Sequence, residues 1–325
     1  MRLATSFDVV IFATVFVLAA NDGAPPPWAY GFPSAAAPAA PPAPAAAPAP
    51  DVTPRSVPGS SGSFTLAQIR DGFGPADWFP GDHPAMPEIV AHGKRPDVRA
   101  CSLCHYPNGK GRPENAGVSG LPVAYFVQAM ADFKAEARKS ADTRKSNTNL
   151  MIAYAKAMTD EEVRAAAEYF AKMKWTPWIK VVEAATVPKT RLAGGMFLTL
   201  EGGATEPIGD RIIEVPDDTE GTEVMRNPRS GFTAYVPPGS IKKGEALVTT
   251  GGGRTTRCSV CHGADLQGLG PVPGIAGRSP SYTVRQLFDT QRGTRKGLWA
   301  DLMTPVVANL TTGDMLAIAA YTASR

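Results

Sequence analysis

RACSLCHYPNGKG, residues 99–111, sets two cysteines three positions apart with a histidine directly after: Cys101, Cys104 and His105. TTRCSVCHGADLQG, residues 255–268, repeats the arrangement at Cys258, Cys261 and His262. With 4 cysteines and 4 histidines in the chain, the two stretches take every cysteine and half of the histidines. Two disulfides would be the ordinary reading of four cysteines in an exported chain, but they leave the adjacent histidines unexplained. A single all-thiolate zinc site does the same. A redox dithiol of the thioredoxin kind needs no following histidine and is not expected twice. Covalent haem attachment uses all three residues. On a helical turn, positions i and i+3 share a face, so both thiols reach the two vinyl groups of one porphyrin. The next residue then offers its imidazole to the iron. Two haem c groups are expected, attached at Cys101 and Cys104 and at Cys258 and Cys261, with His105 and His262 as proximal ligands.

The chain repeats beyond the motifs. An offset of 157 carries Gly120 onto Gly277, Tyr125 onto Tyr282, Val127 onto Val284, and Arg138–Lys139 onto Arg295–Lys296. The offset then becomes 152, carrying Met151 onto Met303, Thr159 onto Thr311 and Tyr169 onto Tyr321. This is a duplicated unit of roughly 70 residues after each motif, the second copy shorter by a loop deletion. VAYFVQAMADFKAEARK (123–139) has helical apolar spacing. TDEEVRAAAEYFAKM (159–173) opens with a capping box, and TTGDMLAIAAYTAS (311–324) starts the same way. The predicted fold is mostly α.

A haem iron held by one histidine needs a ligand on its other face. Met151 and Met303 are repeat equivalents, and thioether sulfur suits a low-spin haem of raised potential. The default for a methionine is core packing. Met158 is the specific rival to Met151, although it falls opposite Leu310, a core-type residue. His83 and His92 precede the first motif, have no second-copy counterparts, and read as surface histidines. A backbone carbonyl should orient each haem histidine through its other ring nitrogen. Pro273 is the expected supplier in the second copy and Ala116 in the first.

Residues 9–20, VVIFATVFVLAA, are too short to cross a bilayer comfortably and follow Arg2, which reads as an export signal or an uncleaved anchor. The Pro/Ala-rich stretch 24–50 reads as a semi-rigid arm. Its aromatics Trp28, Tyr30 and Phe32 read as scattered residues on a solvated linker, with a small docking patch as the alternative. A formal charge of +3 is too small to argue for nucleic acid, no Lys/Arg block suggests it, and no nucleic-acid partner is expected. Arg138–Lys139 and Arg295–Lys296, with Lys134 and Lys145, read either as a face steering an acidic partner or as a solvated charged face.

These residues resemble the class I c-type cytochromes, and specifically the bacterial two-haem, two-domain cytochrome c4 family. The resemblance rests on CSLCH, CSVCH, GIAGRSPSYTVRQL (274–287) and MTPVVANLTTGDMLAIAAY (303–321). IKKGEALVTTGG (241–252) is similar to the short helix before the haem motif in such domains. The resemblance implies one His/Met haem per domain, ligated by His105 with Met151 and by His262 with Met303. It implies an exported carrier that takes single electrons from a respiratory donor to an acceptor such as a terminal oxidase, in the periplasm, and is not an enzyme. Two features depart from the family. Tyr106 stands where glycine usually follows the histidine, and the segment 181–240 is long for a connection. Within that segment MFLTLEGG, DRIIEVP and GFTAYVPPG are β-prone runs. The expected layout is a signal or anchor (1–20), a linker (21–62), cytochrome c domain 1 (63–180), a connecting segment with short strands and loops (181–240) and cytochrome c domain 2 (241–325). Two rivals stay open: a cytochrome subunit of a membrane-bound dehydrogenase or oxidase complex, and a dihaem peroxidase, which would need one iron with an open site.

Overall fold

The computed structural model describes residues 23–33 and 51–325. The apolar run 9–20 and most of the Pro/Ala arm lie outside the described residues. Three single-turn helices come first: α1 (Pro27–Tyr30), α2 (Leu66–Ile69) and α3 (Glu88–Ala91). The first CxxCH motif is the turn α4 (Cys101–His105), followed by α5 (Val123–Lys134), α6 (Ser146–Ala157) and α7 (Asp160–Ala171). A strand-rich segment follows, with β1 (Ile179–Glu183), β2 (Thr186–Pro188), β3 (Thr190–Ala193), β4 (Met196–Thr199), β5 (Thr205–Pro207), β6 (Ile213–Pro216), α8 (Thr219–Glu223) and β7 (Phe232–Val236). The second helical unit is α9 (Ser240–Thr250), α10 (Ser259–His262), a two-residue hairpin β8 (Gly268–Leu269) and β9 (Val272–Pro273), then α11 (Pro280–Gln291), α12 (Ala300–Val307) and α13 (Thr312–Ala323).

The helices keep the spacing of the sequence repeat. Local chemistry sets their boundaries. Thr159 caps α7 by accepting from the Glu162 amide, while the Glu162 carboxylate accepts from the Thr159 amide at 2.8 Å. Thr311 and Asp314 make the same reciprocal pair at the start of α13. Each box satisfies two amides that the first helical turn leaves without partners. The apolar faces then diverge. α7 buries Val163, Ala166, Ala167, Tyr169 and Phe170 on one face, whereas α13 is buried from Asp314 through Ala323. The difference comes from α9, which packs along α13 and has only the four-residue α3 as a counterpart in the first copy. Gly244 permits that crossing, because a Cβ built there would collide with the Ala317 carbonyl oxygen.

The three β-prone runs each contain a strand: β4, β6 and β7. In the connecting segment β1 pairs parallel with β7, which pairs antiparallel with β6. This sheet packs its Ile179, Phe232 and Ala234 against Met196 and Leu198 of β4. Its Glu214 carboxylate accepts from the Ser281 amide at 2.6 Å and from the Ser279 hydroxyl, which fixes the segment to the N-terminus of α11. Helix α11 is the hub of the molecule. Arg278, just before it, donates to Gly274, Gly117 and Ser119 carbonyls, and Arg285 donates to Ala29 and Pro113 carbonyls.

The aromatic stretch 28–32 is not solvated. Trp28, Ala29 and Tyr30 are buried in the core of the second unit. The Tyr30 hydroxyl donates to Asp289 of α11 at 2.7 Å. The linker reading failed here because flanking Pro/Ala repeats mask three rings that have an apolar surface of their own chain to cover. No single helix among the described residues is long and apolar enough to cross a membrane.

Candidate functional site

Each CxxCH turn presents its histidine in the same way. His105 Nδ1 lies 2.8 Å from the Ala116 carbonyl oxygen, and His262 Nδ1 lies 2.8 Å from the Pro273 carbonyl oxygen. Both acceptors stand eleven residues after the histidine. A ring N–H donated from Nδ1 leaves Nε2 as the free lone pair, which is the arrangement a metal-bound imidazole needs. Burial lowers the pKa of His105, and that of His262, so both rings favour the neutral, ligating form.

The first motif opens into a cavity of about 160 Å³. Cys101, Cys104, His105 and Met151 line it, with Val118, Leu121, Phe126 and Phe133 giving it an apolar wall. Met151 sits half-buried at the middle of α6, whereas its rival Met158 is buried in the core just past the helix end. Both border the cavity, as does Met130. In the second unit Cys258 and Met303 pack against one core. The Thr255 hydroxyl donates to the Val306 carbonyl at 2.6 Å, tying the attachment turn to the methionine-bearing α12. A flat, apolar, iron-bearing group with two attachment points fits this donor set: paired thiols, a neutral imidazole and a thioether.

The structure corrects the reading of the basic pairs. Arg138 is buried between the two units, where Nη2 donates to the Tyr282 hydroxyl at 3.1 Å and to Gln286 at 2.9 Å. Arg295 donates to the Tyr125 hydroxyl at 2.9 Å. Backbone bonds from Lys139 to Thr294 and from Lys296 to Ala137 join the two loops. These arginines are therefore unit-to-unit contacts, not a solvated or partner-steering face; Lys139 and Lys296 remain exposed. Arg138, Arg295, Tyr125 and Tyr282 also border the first cavity, so the second unit completes its wall. Burial alone would raise the Tyr125 pKa, but the Arg295 and Arg138 guanidiniums outweigh it and hold it at about 8. Lys145 is buried too, and desolvation with the nearby Arg285 charge pushes it down to about 7. The sequence flagged these residues only as repeat equivalents or as charge.

His83 and His92 do not approach the motifs as ligands. His83 Nε2 is 3.1 Å from Asp77 and its side chain is well covered, so it is a paired histidine and not a surface one. His92 is exposed. Tyr106 takes φ 61° and ψ 157°, nearly the backbone of its equivalent Gly263 at φ 84° and ψ 157°. The geometry after the histidine is kept although the glycine is not, at a cost of about 1–3 kcal/mol for a residue with a side chain.

The chain is similar to several known cytochromes. The cytochrome c family matches residues 90–174. Cytochrome c-554(548) of Halomonas halodenitrificans is 42% identical over 69 residues, which are 21% of this chain and 83% of that protein. Cytochrome c-552 of Acidithiobacillus ferridurans is 34% identical over 103 residues, 29% of this chain, and the match spans only 44% of that protein's length. A thiosulfate dehydrogenase electron acceptor of Stutzerimonas stutzeri is 24% identical across 71% of this chain and 82% of its own. Among solved structures, Acidithiobacillus ferrooxidans cytochrome c4 aligns with 69% of this chain and 98% of its own, at 21% identity and a TM-score of 0.42. The chain belongs to the c-type cytochromes. A covalently bound haem c follows from that membership, and the residues around the first motif suit it.

Proposed function

We propose that the chain is an exported, two-domain dihaem electron carrier of the periplasm. One haem would be held by Cys101 and Cys104 with iron between His105 and Met151, the other by Cys258 and Cys261 with iron between His262 and Met303. Residues 63–180 and 241–325 would form the two class I cytochrome c domains, with 181–240 as the connecting segment. Bound haem supplies a one-electron ferric/ferrous couple. The chain's own residues do the rest: the carbonyls of Ala116 and Pro273 orient the imidazoles, apolar walls exclude water, and thioether ligands favour the reduced state.

The observation that carries this reading is the matched histidine geometry, 2.8 Å from Nδ1 to a carbonyl eleven residues on in both copies. A methionine at the equivalent place in each repeat disfavours a peroxidase, which requires an open iron. Absorption spectra of oxidised holoprotein test the ligand assignment. The weak far-red band of iron–thioether bonding should correspond to two methionine-ligated haems per chain. A single such haem, with fast hydrogen peroxide turnover, would replace the carrier with the peroxidase.

The donor and acceptor would be a respiratory dehydrogenase or quinol-oxidising complex and a terminal oxidase. A more specific context is favoured by the relatives that cover most of this chain, which are named electron acceptors of thiosulfate dehydrogenase. In that reading the donor oxidises thiosulfate. Mixing the oxidised protein with such an enzyme and thiosulfate should then reduce it within seconds. Co-purification with membranes and a dehydrogenase would point instead to a subunit held in a complex.

A further inference from the structure

The two attachment turns are alike in backbone and unlike in cover. Leu103 is 8% exposed, while Val260, its repeat equivalent, is 49% exposed. Cys261 is exposed, whereas Cys104 is half-buried. Helix α3 backs the first turn, its Val90 carbonyl accepting from the Ser102 hydroxyl at 2.8 Å, and loop 224–229 of the connecting segment adds further cover. Arg226 donates from Nη2 to the Leu103 carbonyl, and its guanidinium carbon lies 5.6 Å from the centre of the Tyr106 ring. The Pro228 carbonyl accepts from Asn108 at 3.0 Å.

The same loop is anchored from its other side. The Met225 carbonyl accepts from Trp78 Nε1 at 2.7 Å, and Met225 packs with Trp78, Phe79, Ile69 and Val57. Arg229 makes a two-pronged pair with Asp82, at 2.8 and 2.7 Å. The loop is thus clamped between residues 57–82 and the turn it covers. Among the described residues nothing comparable lies on the second turn.

Thioether bonds join a porphyrin along the edge that carries its vinyl groups, so cover on an attachment turn would screen the part of that edge which its cysteines hold. Electron transfer weakens steeply with distance, so a covered edge exchanges electrons slowly with agents in solution. We infer that loop 224–229 insulates the first haem edge and leaves the second as the edge through which the protein exchanges electrons with external agents. The inference rests on both motifs being haem attachments, and it assigns a role to the segment that departs most from the family. The exchange is a one-electron step: an external ferrous chelate becomes ferric, and a ferric haem iron becomes ferrous.

The decisive experiment compares the wild-type protein with Arg226→Ala. Dihaem holoprotein is titrated with a neutral gadolinium chelate, and paramagnetic relaxation is read on the backbone amides of 102–106 and 259–263. The expected result is relaxation several-fold stronger at 259–263, with the difference much reduced in Arg226→Ala. Equal relaxation of the two turns in the wild-type protein overturns the inference, as does an unchanged difference in Arg226→Ala. As a second readout, each single-haem variant is reduced with ferrous EDTA. Cys258→Ala/Cys261→Ala, which keeps the first haem, should react about tenfold more slowly than Cys101→Ala/Cys104→Ala. Equal rates overturn the inference. A protein whose mass shows no haem at either motif fails the underlying reading instead, and that is known before either measurement begins.

Discussion

Arg138 of the first unit donates to the hydroxyl of Tyr282 in the second at 3.1 Å, and Arg295, its repeat equivalent, returns the bond to Tyr125 at 2.9 Å. The duplicated halves meet through the same two residue types exchanged across a pseudo-two-fold contact. Arg138→Ala should therefore destabilise the protein by about 1–3 kcal/mol, because it removes two buried hydrogen bonds and strands the Tyr282 hydroxyl. Arg138→Lys should recover only part of this, since the shorter lysine side chain ends before the point where Nη2 meets Tyr282 and Gln286 together. Thermal unfolding of the three proteins checks both expectations.

The Gly244 contact makes a sharper prediction. Gly244→Ala forces α9 away from the Ala317 carbonyl and should cost about 1–3 kcal/mol as overpacking. Gly239→Ala, with open space around its Cβ position, should lose less, chiefly through the left-handed backbone. Urea titrations give the comparison, and a larger loss at Gly239 would show that the helix crossing is not tight.

Acid should affect the two capping boxes unequally. Asp314 is buried, which alone would raise its pKa, yet hydrogen bonds from Lys243 and from Thr311 hold it below the ordinary carboxylate value. A depressed folded-state value means stability that is present above the unfolded pKa and is lost as pH falls through the folded one. Asp314→Asn should therefore cost about 1–2 kcal/mol at neutral pH, a lost charged cap, and should flatten the acid limb of the stability curve. Glu162→Gln, at the more exposed equivalent, should cost less than about 1 kcal/mol. Stability measured from pH 3 to 7 decides.

Tyr106 is buried, and among the described residues its hydroxyl has no hydrogen-bond partner. Tyr106→Phe should change stability by no more than about 0.5 kcal/mol or raise it slightly, since no hydrogen bond is lost. Gly263→Ala should destabilise, because its backbone is strained for any side chain and the Gly268 carbonyl lies 2.7 Å from the added Cβ. Denaturation midpoints of the pair test the account of the missing glycine.

Much of the helical architecture was legible because its signals are local. Offsets of 157 and 152 place α11 and α13 on α5 and α7, and Thr159 and Thr311 announce their helices through a side chain three residues from its partner. The carbonyls behind His105 and His262 could be named in advance because repeat register carries one onto the other. Long-range pairings gave no such sign. Nothing near Arg138 in the chain says that its acceptor is 144 residues away, and charge alone reads as solvent exposure. Trp28 and Tyr30 were hidden by their prolines, and the contact of Arg226 with Leu103 spans 123 residues. In each case the partner is set by tertiary packing, to which periodicity and composition are blind.

The ligand assignment predicts paired spectroscopic losses. Met151→Ala and Met303→Ala should each remove about half of the far-red absorption of the oxidised protein, since each takes a thioether from one of two irons. Met158→Ala should leave that band intact and cost about 2–5 kcal/mol as a core truncation. A band lost in Met158→Ala and kept in Met151→Ala would exchange their roles.

The mass of the denatured protein, expressed with competent haem-maturation machinery, tests the central claim most directly. Two tetrapyrroles should remain bound to the wild-type chain after denaturation, and one to either double-cysteine variant. A wild-type mass equal to that of the polypeptide alone would contradict the assignment of Cys101, Cys104, Cys258 and Cys261 as haem attachments.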